Sequence, residues 1–362
     1  MTSKFLERAW YCAAWAHELR SGAPPLRRIL LAQPIVLFRD SERKAHALSA
    51  VCPHRGADLG TGTVEGGVLR CPLHGWSFDG SGLCVQIPSQ GSGLRVSRLA
   101  RVRRFELVEQ QGILWIWMHA SIPDAPPPSY GVWEASPLQR RLFDRPRLWR
   151  ASFENVVENA IDVAHTPFIH KSTLGDSQPH VVPKQTVVRD DDGRGFSGTS
   201  DLEVRPGEQP RAFAPSGAIG WFASWLGLTT VTRETYRFDL GGSVHFHVKW
   251  PDGTWDVLAG HATPADTERT WFFGLTVRTR AVHWFGDWVQ RWAMRTLSDE
   301  DGRHLEAMLS NDPRVLPEGV SVAADAGTLE FARLYSRAIG NEREAPGPGK
   351  RDTARLETNR PV

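Results

Sequence analysis

The stretch "CPHRGADLGTGTVEGGVLRCPLHGWSFDGSG", residues 52–82, pairs Cys52 with His54 and, sixteen residues on, Cys71 with His74. Four such donors can hold zinc, but zinc sites usually take paired cysteines from one loop and paired histidines from another. Here each loop is mixed. A binuclear iron–sulfur cluster accounts for the mixing, with one iron held by two thiolates and the other by two imidazoles. Each loop then gives its cysteine, Cys52 or Cys71, to one iron and its histidine, His54 or His74, to the other. Pro53 and Pro72 suit tight turns, while Gly56, Gly75, Gly80 and Gly82 permit close backbone approach. Trp76 follows the second loop and is expected to pack on the cluster, whereas Cys12 and Cys84 are expected to be buried and inert.

A second constellation lies in "ENAIDVAHTPFIH", residues 158–170. Taken alone, His165 and His170 are either satisfied core histidines or two imidazoles of a metal site. A metal ion that keeps positions open for other ligands can be held by two imidazoles and one carboxylate on one side. The later run "LSDEDGRHLEAM" offers Asp299, Glu300, Asp301 and Glu306 as that carboxylate, each of which could equally be solvated helix surface. Asp162, one helical turn before His165, is placed to bond the ring nitrogen that does not face the metal, fixing its tautomer. Asn159, a further turn back, sits beside the metal or on the helix surface.

The spacing N-x-x-D-x-x-H-x-x-x-x-H over residues 159–170, downstream of the two cysteine–histidine turns, resembles the iron motif of Rieske non-heme iron oxygenases. The similarity runs from "RAWYCAAWAHEL" near the start to "ARLYSRAI" near residue 339. What the resemblance implies is specific. The cluster would be a Rieske [2Fe-2S] cluster, and His165, His170 and Asp301 would bind a mononuclear Fe(II), with His304 on a neighbouring helix face. Asp162 would bridge to His74 of a neighbouring subunit, making the protein a homotrimer. Electrons from NADH would arrive through a separate reductase, with or without a ferredoxin, and O2 would be activated against a small aromatic substrate. The length is like that of the small monooxygenase branch that includes vanillate and dicamba O-demethylases, so hydroxylation or oxidative demethylation is the implied reaction. By the same resemblance, His261 in "GHATPADTERTWFFG" would be a polar substrate anchor and Trp292 a pocket tryptophan, unless Trp292 belongs to a core stripe with Trp284 and Trp288. His245 and His247 share a strand face, toward pocket or solvent. Two alternatives are a hydroxylase that tailors a natural product and an electron-transfer protein whose second domain has lost its iron.

These residues need elements to hold them. Residues 26–120 are short apolar runs broken by Gly, Pro and Asp, as in a small β domain. The four-proline stretch "SIPDAPPPSYG", residues 121–131, ends that pattern. A helix is expected over 151–165, leaving helical space at Thr166 before Pro167, then strands over 181–279 and a helix over 281–310 with Trp284, Trp288 and Trp292 in one stripe. The expected class is α+β: an all-β Rieske domain over 1–125, a helix-grip (START-like) catalytic domain over 126–340 with an antiparallel sheet and a long helix, and a draped tail over 341–362. With 43 basic against 41 acidic residues, no basic stripe for nucleic acid or a membrane is expected. "WYCAAWA" lacks the features of a signal peptide, and four cysteines fit a reducing, cytoplasmic setting. No glycine pattern for a dinucleotide or ATP occurs, consistent with electrons coming from elsewhere.

Overall fold

A computed structural model of the chain describes residues 5–91, 97–130, 139–170, 185–200, 233–249, 255–279, 281–311 and 320–344. Two antiparallel sheets make the first domain. The larger runs Trp10–Trp15, Ile113–Trp117, Arg104–Gln110, Ala45–Ser49, Gln33–Arg39, Leu26–Leu30 in spatial order. The smaller, Thr63–Glu65, Val68–Arg70, Ser77–Phe78 and Cys84–Gln86, lies beside the two cysteine–histidine turns. Every residue of "ILWIW", 113–117, is buried, because both faces of that strand are covered. Leu114 and Ile116 join a core with Leu37 and Ala47. Ile113, Trp115 and Trp117 join Trp10 and Trp15 in an aromatic layer against the second domain.

The second domain is built on an eight-stranded antiparallel sheet. Its path is Arg140–Phe143, Thr270–Arg278, Trp255–Pro264, Ser243–Lys249, Arg233–Asp239, Gly195–Ser200, Gln185–Arg189, with Arg147–Trp149 also pairing the 270–278 strand. Side chains alternate across it. Val257, Ala259, Phe273, Leu275 and Val277 meet the aromatic layer of the first domain. Their neighbours Leu258, Gly260, Phe272, Gly274 and Thr276 face the opposite way and line a cavity. Hydrogen bonds pin the two domains together: Thr263 Oγ1 donates to the Cys12 carbonyl at 2.8 Å, and Trp15 Nε1 to that of Asp144 at 2.7 Å.

Four α-helices stand beside these sheets among the described residues. Helix α1, Phe153–Ile161, starts where Ser152 Oγ accepts the Asn155 amide and buries Phe153, Val156, Val157 and Ile161 along one side. It ends four residues before the expected 165. Asp162 is extended, its carboxylate accepts the Ala164 amide at 2.7 Å, and a new short helix α2, Thr166–Ile169, begins. Thr166 is thus an entry rather than an exit, since Pro167 lies in a first helical turn, where no amide donor is missed. Helix α3, Trp284–Glu306, packs on the cavity side, turning Met294, Leu297, Ser298 and Asp301 inward at i, i+3, i+4, i+7 spacing. Gly302 permits its close approach, because a Cβ there would fall 2.5 Å from the Trp149 indole nitrogen.

The tryptophan stripe of α3 is not core. Trp284 and Trp288 are 79% and 60% exposed, since the cavity needs the opposite side of the helix. Helix α4, Ala326–Glu344, continues into the expected tail, and Glu342 explains why: its carboxylate accepts the amides of Glu7 and Arg8 at 2.9 and 2.7 Å. The rest of that tail and the 205–230 loops lie outside the described residues. Replacing fully buried Trp115 by Ala should cost about 3–5 kcal/mol of stability. Trp288→Ala should change it by less than about 0.5 kcal/mol, and chemical denaturation of the two variants checks the contrast.

Candidate functional site

The two cysteine–histidine turns are local copies of one another. Each is Cys-Pro-x-x-Gly: the Gly56 amide donates to the Cys52 carbonyl at 2.9 Å, and the Gly75 amide to that of Cys71 at 3.1 Å. Both glycines have positive φ, 72° and 70°, a conformation that side chains disfavour. The next residue closes each turn, with Ala57 and Trp76 carbonyls accepting the Cys52 and Cys71 amides. His54 stands third in its copy and His74 fourth, which is why the two spacings differ.

Cys52 and Cys71 are buried at 2% and 3% exposure, whereas His74 is exposed. The His54 and His74 rings lie 4.5 Å apart, and His54 stacks on Trp76 at 4.6 Å and 6°. Burial pushes the Cys52 thiol up to about 11, so a thiolate there needs a cation beside it. His54 Nδ1 is buried without a hydrogen-bond partner, an orphan that a metal bond would satisfy. One thiol and one imidazole from each turn is the mixed donor set that suits a binuclear cluster with unlike irons. Cys12 and Cys84 are buried and free, as expected.

A tighter group forms where α1, α2 and α3 meet. Among the described residues, donor atoms of His165, His170 and Asp301 lie within 4.8 Å of one another. His165 Nε2 and His170 Nε2 are 3.3 Å apart, and Asp301 Oδ1 is 3.6 and 3.2 Å from them. Asn159 Nδ2 donates to Asp301 Oδ1 at 3.1 Å, so Asn159 is at the site rather than on the surface. Of the other acids, Asp299 pairs with Arg147 and Glu306 accepts the Arg150 amide, both away from the group, and His304 is exposed.

Two details differ from the sequence reading. Asp162 Oδ2 lies 3.7 Å from His165 Nδ1, too long for a hydrogen bond, because the chain has left the helix and the carboxylate is held by Ala164. The orienting carboxylate that the sequence did not reveal is Glu300. It is buried at 6% exposure and meets His170 Nδ1 at 2.9 Å, the geometry that fixes a ligand's tautomer and ring plane. Adjacent positions on a helix point about 100° apart, so Asp301 turns to the cavity while Glu300 passes behind His170. A run of four acids carries no signal that separates these roles.

Above the group lies a cavity of about 240 Å³. Its described walls include Val244, Phe246, Leu258, Phe272, Met294 and Leu297. His261 is not among them. It lies on the opposite face of the sheet, fully buried, with its ring nitrogens 3.2 Å from Tyr130 Oη and 3.1 Å from Ser243 Oγ. Burial holds it neutral with its pKa pushed down to about 3, so it is a structural histidine of the domain interface rather than a substrate anchor. Its neighbour Gly260 takes the cavity-facing position. Trp292 does not line the cavity either, being half-buried on the far side of α3 from Met294 and Ser298. His245 is buried on the same sheet face as His261, against Tyr130.

This pairing of an iron–sulfur domain with a cavity-bearing, two-histidine-and-carboxylate domain defines the class of Rieske oxygenase components. Residues 9–106 match the Rieske [2Fe-2S] domain family, and residues 149–340 match the vanillate O-demethylase oxygenase C-terminal domain. The second match spans more than half of the 362 residues, and the chain belongs to that family. Toluene-4-sulfonate monooxygenase system iron-sulfur subunit TsaM1 of Comamonas testosteroni is 33% identical over 193 residues, 53% of this chain and 54% of that protein. Dicamba O-demethylase, oxygenase component, of Stenotrophomonas maltophilia is 32% identical over 188 residues, 51% of this chain and 54% of that protein. The chain thus spans about half the length of the curated relatives it matches. Pseudomonas putida CBB5 NdmA with caffeine aligns at TM-score 0.78 and 24% identity, over 94% of each chain. Dicamba monooxygenase bound to dicamba aligns at 0.77 and 23%, over 94% of this chain and 99% of that one. Both share the fold. No described helix is long and apolar enough to cross a membrane.

Burial opposes a charge on His170, but its bonds to Asp301 and Glu300 outweigh that, and its pKa is raised above the ordinary 6.5. In the metal-free protein this contributes stability that is complete below pH 6.5 and is lost as pH rises through the raised value. A metal must displace that proton, so Fe(II) affinity should fall about tenfold per pH unit below the raised value. Glu300→Gln should weaken Fe(II) binding by about 10–100-fold, and chelator competition across the neutral range measures both effects.

Proposed function

We propose that the chain is the terminal oxygenase of a multicomponent Rieske monooxygenase, acting on a small aromatic substrate by hydroxylation or oxidative demethylation. The observation that carries this reading is the convergence of His165, His170 and Asp301 beneath an apolar cavity. A Rieske electron-transfer protein with an inactive second domain would have no need to keep the three donors together, nor Glu300 and Asn159 holding two of them.

Cys52, Cys71, His54 and His74 would hold a [2Fe-2S] cluster, and His165, His170 and Asp301 a mononuclear Fe(II). When bound, the cluster stores and relays electrons and the ferrous ion activates O2. The chain's own residues do the positioning. Glu300 and Asn159 fix His170 and Asp301, and the apolar walls keep water from the side of the cavity where a substrate would lie. The electrons would come from NADH through a separate reductase, with or without a ferredoxin. Exposed His74 and partly exposed Asp162 would let the cluster of one subunit address the iron site of its neighbour in a homotrimer. Aromatic substrates are favoured by relatives named for toluene-4-sulfonate and dicamba.

Metal analysis of the purified chain should give about three irons. Asp301→Ala should lower this to about two while leaving the visible spectrum of the cluster intact. An unchanged iron count in that variant would refute the assignment. Asp162→Asn should keep both metals yet slow turnover with a surrogate reductase by at least about tenfold. Formaldehyde among the products would choose demethylation over hydroxylation.

A further inference from the structure

The cavity divides its chemistry unevenly. His165, His170, Asp301, Asn159 and Asp162 make one polar end. Opposite them the described wall is apolar, and no lysine or arginine lines the cavity among the described residues. A carboxylate or sulfonate buried there would lack a cationic side chain to offset its lost hydration. A ferrous ion would not supply the deficit, because Asp301, Glu300 and Asp162 together outnumber its two charges. The loaded site thus presents no net positive charge to attract an anion.

One polar group on the substrate side is uncommitted. Ser298, on α3 one turn before Asp301, is 6% exposed, lines the cavity, and has no hydrogen-bond partner among the described residues. Its hydroxyl is not sealed from the cavity, so a bound molecule can reach it. Its neighbour Thr276 is already engaged, its hydroxyl meeting Met294 Sδ at 2.8 Å and the Gln290 amide at 3.5 Å. On α3 Ser298 forgoes the backbone bond that Thr296 makes to the Trp292 carbonyl at 2.9 Å. Size sets a further bound. A cavity of about 240 Å³ exceeds the ~150 Å³ that takes a benzene, which leaves room for a substituted ring or a compact bicycle.

Resting on the oxygenase reading above, we infer that the substrate is an uncharged, largely apolar molecule of one ring or a compact bicycle, with a single neutral hydrogen-bonding group read by Ser298 Oγ. The described wall offers an aryl anion no cation, and Ser298 ranks neutral ligands by whether they offer that group. Ser298 therefore takes the role that His261 and Trp292 were expected to fill.

The test is calorimetric binding to the iron-loaded full chain, with a fragment panel built around 3-methoxybenzyl alcohol, 3-methoxytoluene and 3-methoxybenzoate. The alcohol should bind roughly two- to tenfold tighter than the toluene, with the benzoate weakest. Ser298→Ala should erase the gap between alcohol and toluene, and Ser298→Thr should retain it. Benzoate binding as tight as the alcohol, a gap that survives Ser298→Ala, or no binding from any neutral fragment would overturn the inference. Because binding is read without turnover, the oxygenase reading fails separately, by an iron count of two or by no oxygen uptake with any bound fragment.

Discussion

Alternation of side chains across the eight-stranded sheet is the constraint on which the rest depends. One face must be apolar and aromatic, because the tryptophan layer of the first domain closes on it. The other must stay partly open, because α3 crosses it to deliver Asp301. A shift of one residue in register would exchange the faces, placing His261 in the cavity and Gly260 in the interface. The long antiparallel pairing of residues 255–264 with 270–278 prevents that shift, and the site inherits its shape from this register.

Charge in the second site is arranged with equal economy. Two carboxylates and two imidazoles share a small, largely buried volume, which a protein tolerates only when each is paired. Glu300 and Asn159 supply the pairing from the protein side, and a divalent cation would supply the remainder. This arrangement would leave the filled site without net positive charge.

In the first domain a repeated backbone device does the corresponding work. Two Cys-Pro-x-x-Gly turns put the thiols inward and the imidazoles outward, so the histidine side of the site is the one that faces solvent and any partner. The order of residues within each copy, rather than any long-range packing, creates that polarity. The turns are supported by a short four-stranded sheet, and the six-stranded sheet carries the contact with the rest of the molecule.

Much of this was legible in the chain itself. The two cysteine–histidine turns, the histidine pair at 165 and 170, the α+β order of elements and the long late helix all follow from spacing and periodicity, because their geometry is local. The short-range rule failed where tertiary contacts compete with it. Asp162 left the helix because its carboxylate caps Ala164, and the tryptophan stripe of α3 faces outward because the cavity claims the other side. Resemblance placed His261 and Trp292 in a pocket from which sheet parity and helix phase exclude them. Which of four neighbouring acids meets the histidines, which acid braces His170, and which hydroxyl is left free above them are decided by three helices and a sheet converging from distant parts of the sequence. Residue type and order determined which chemistry is available to this protein. Only the packing of the folded chain decided which side chains share a face, since burial and register are properties of the assembled structure and not of any segment of it.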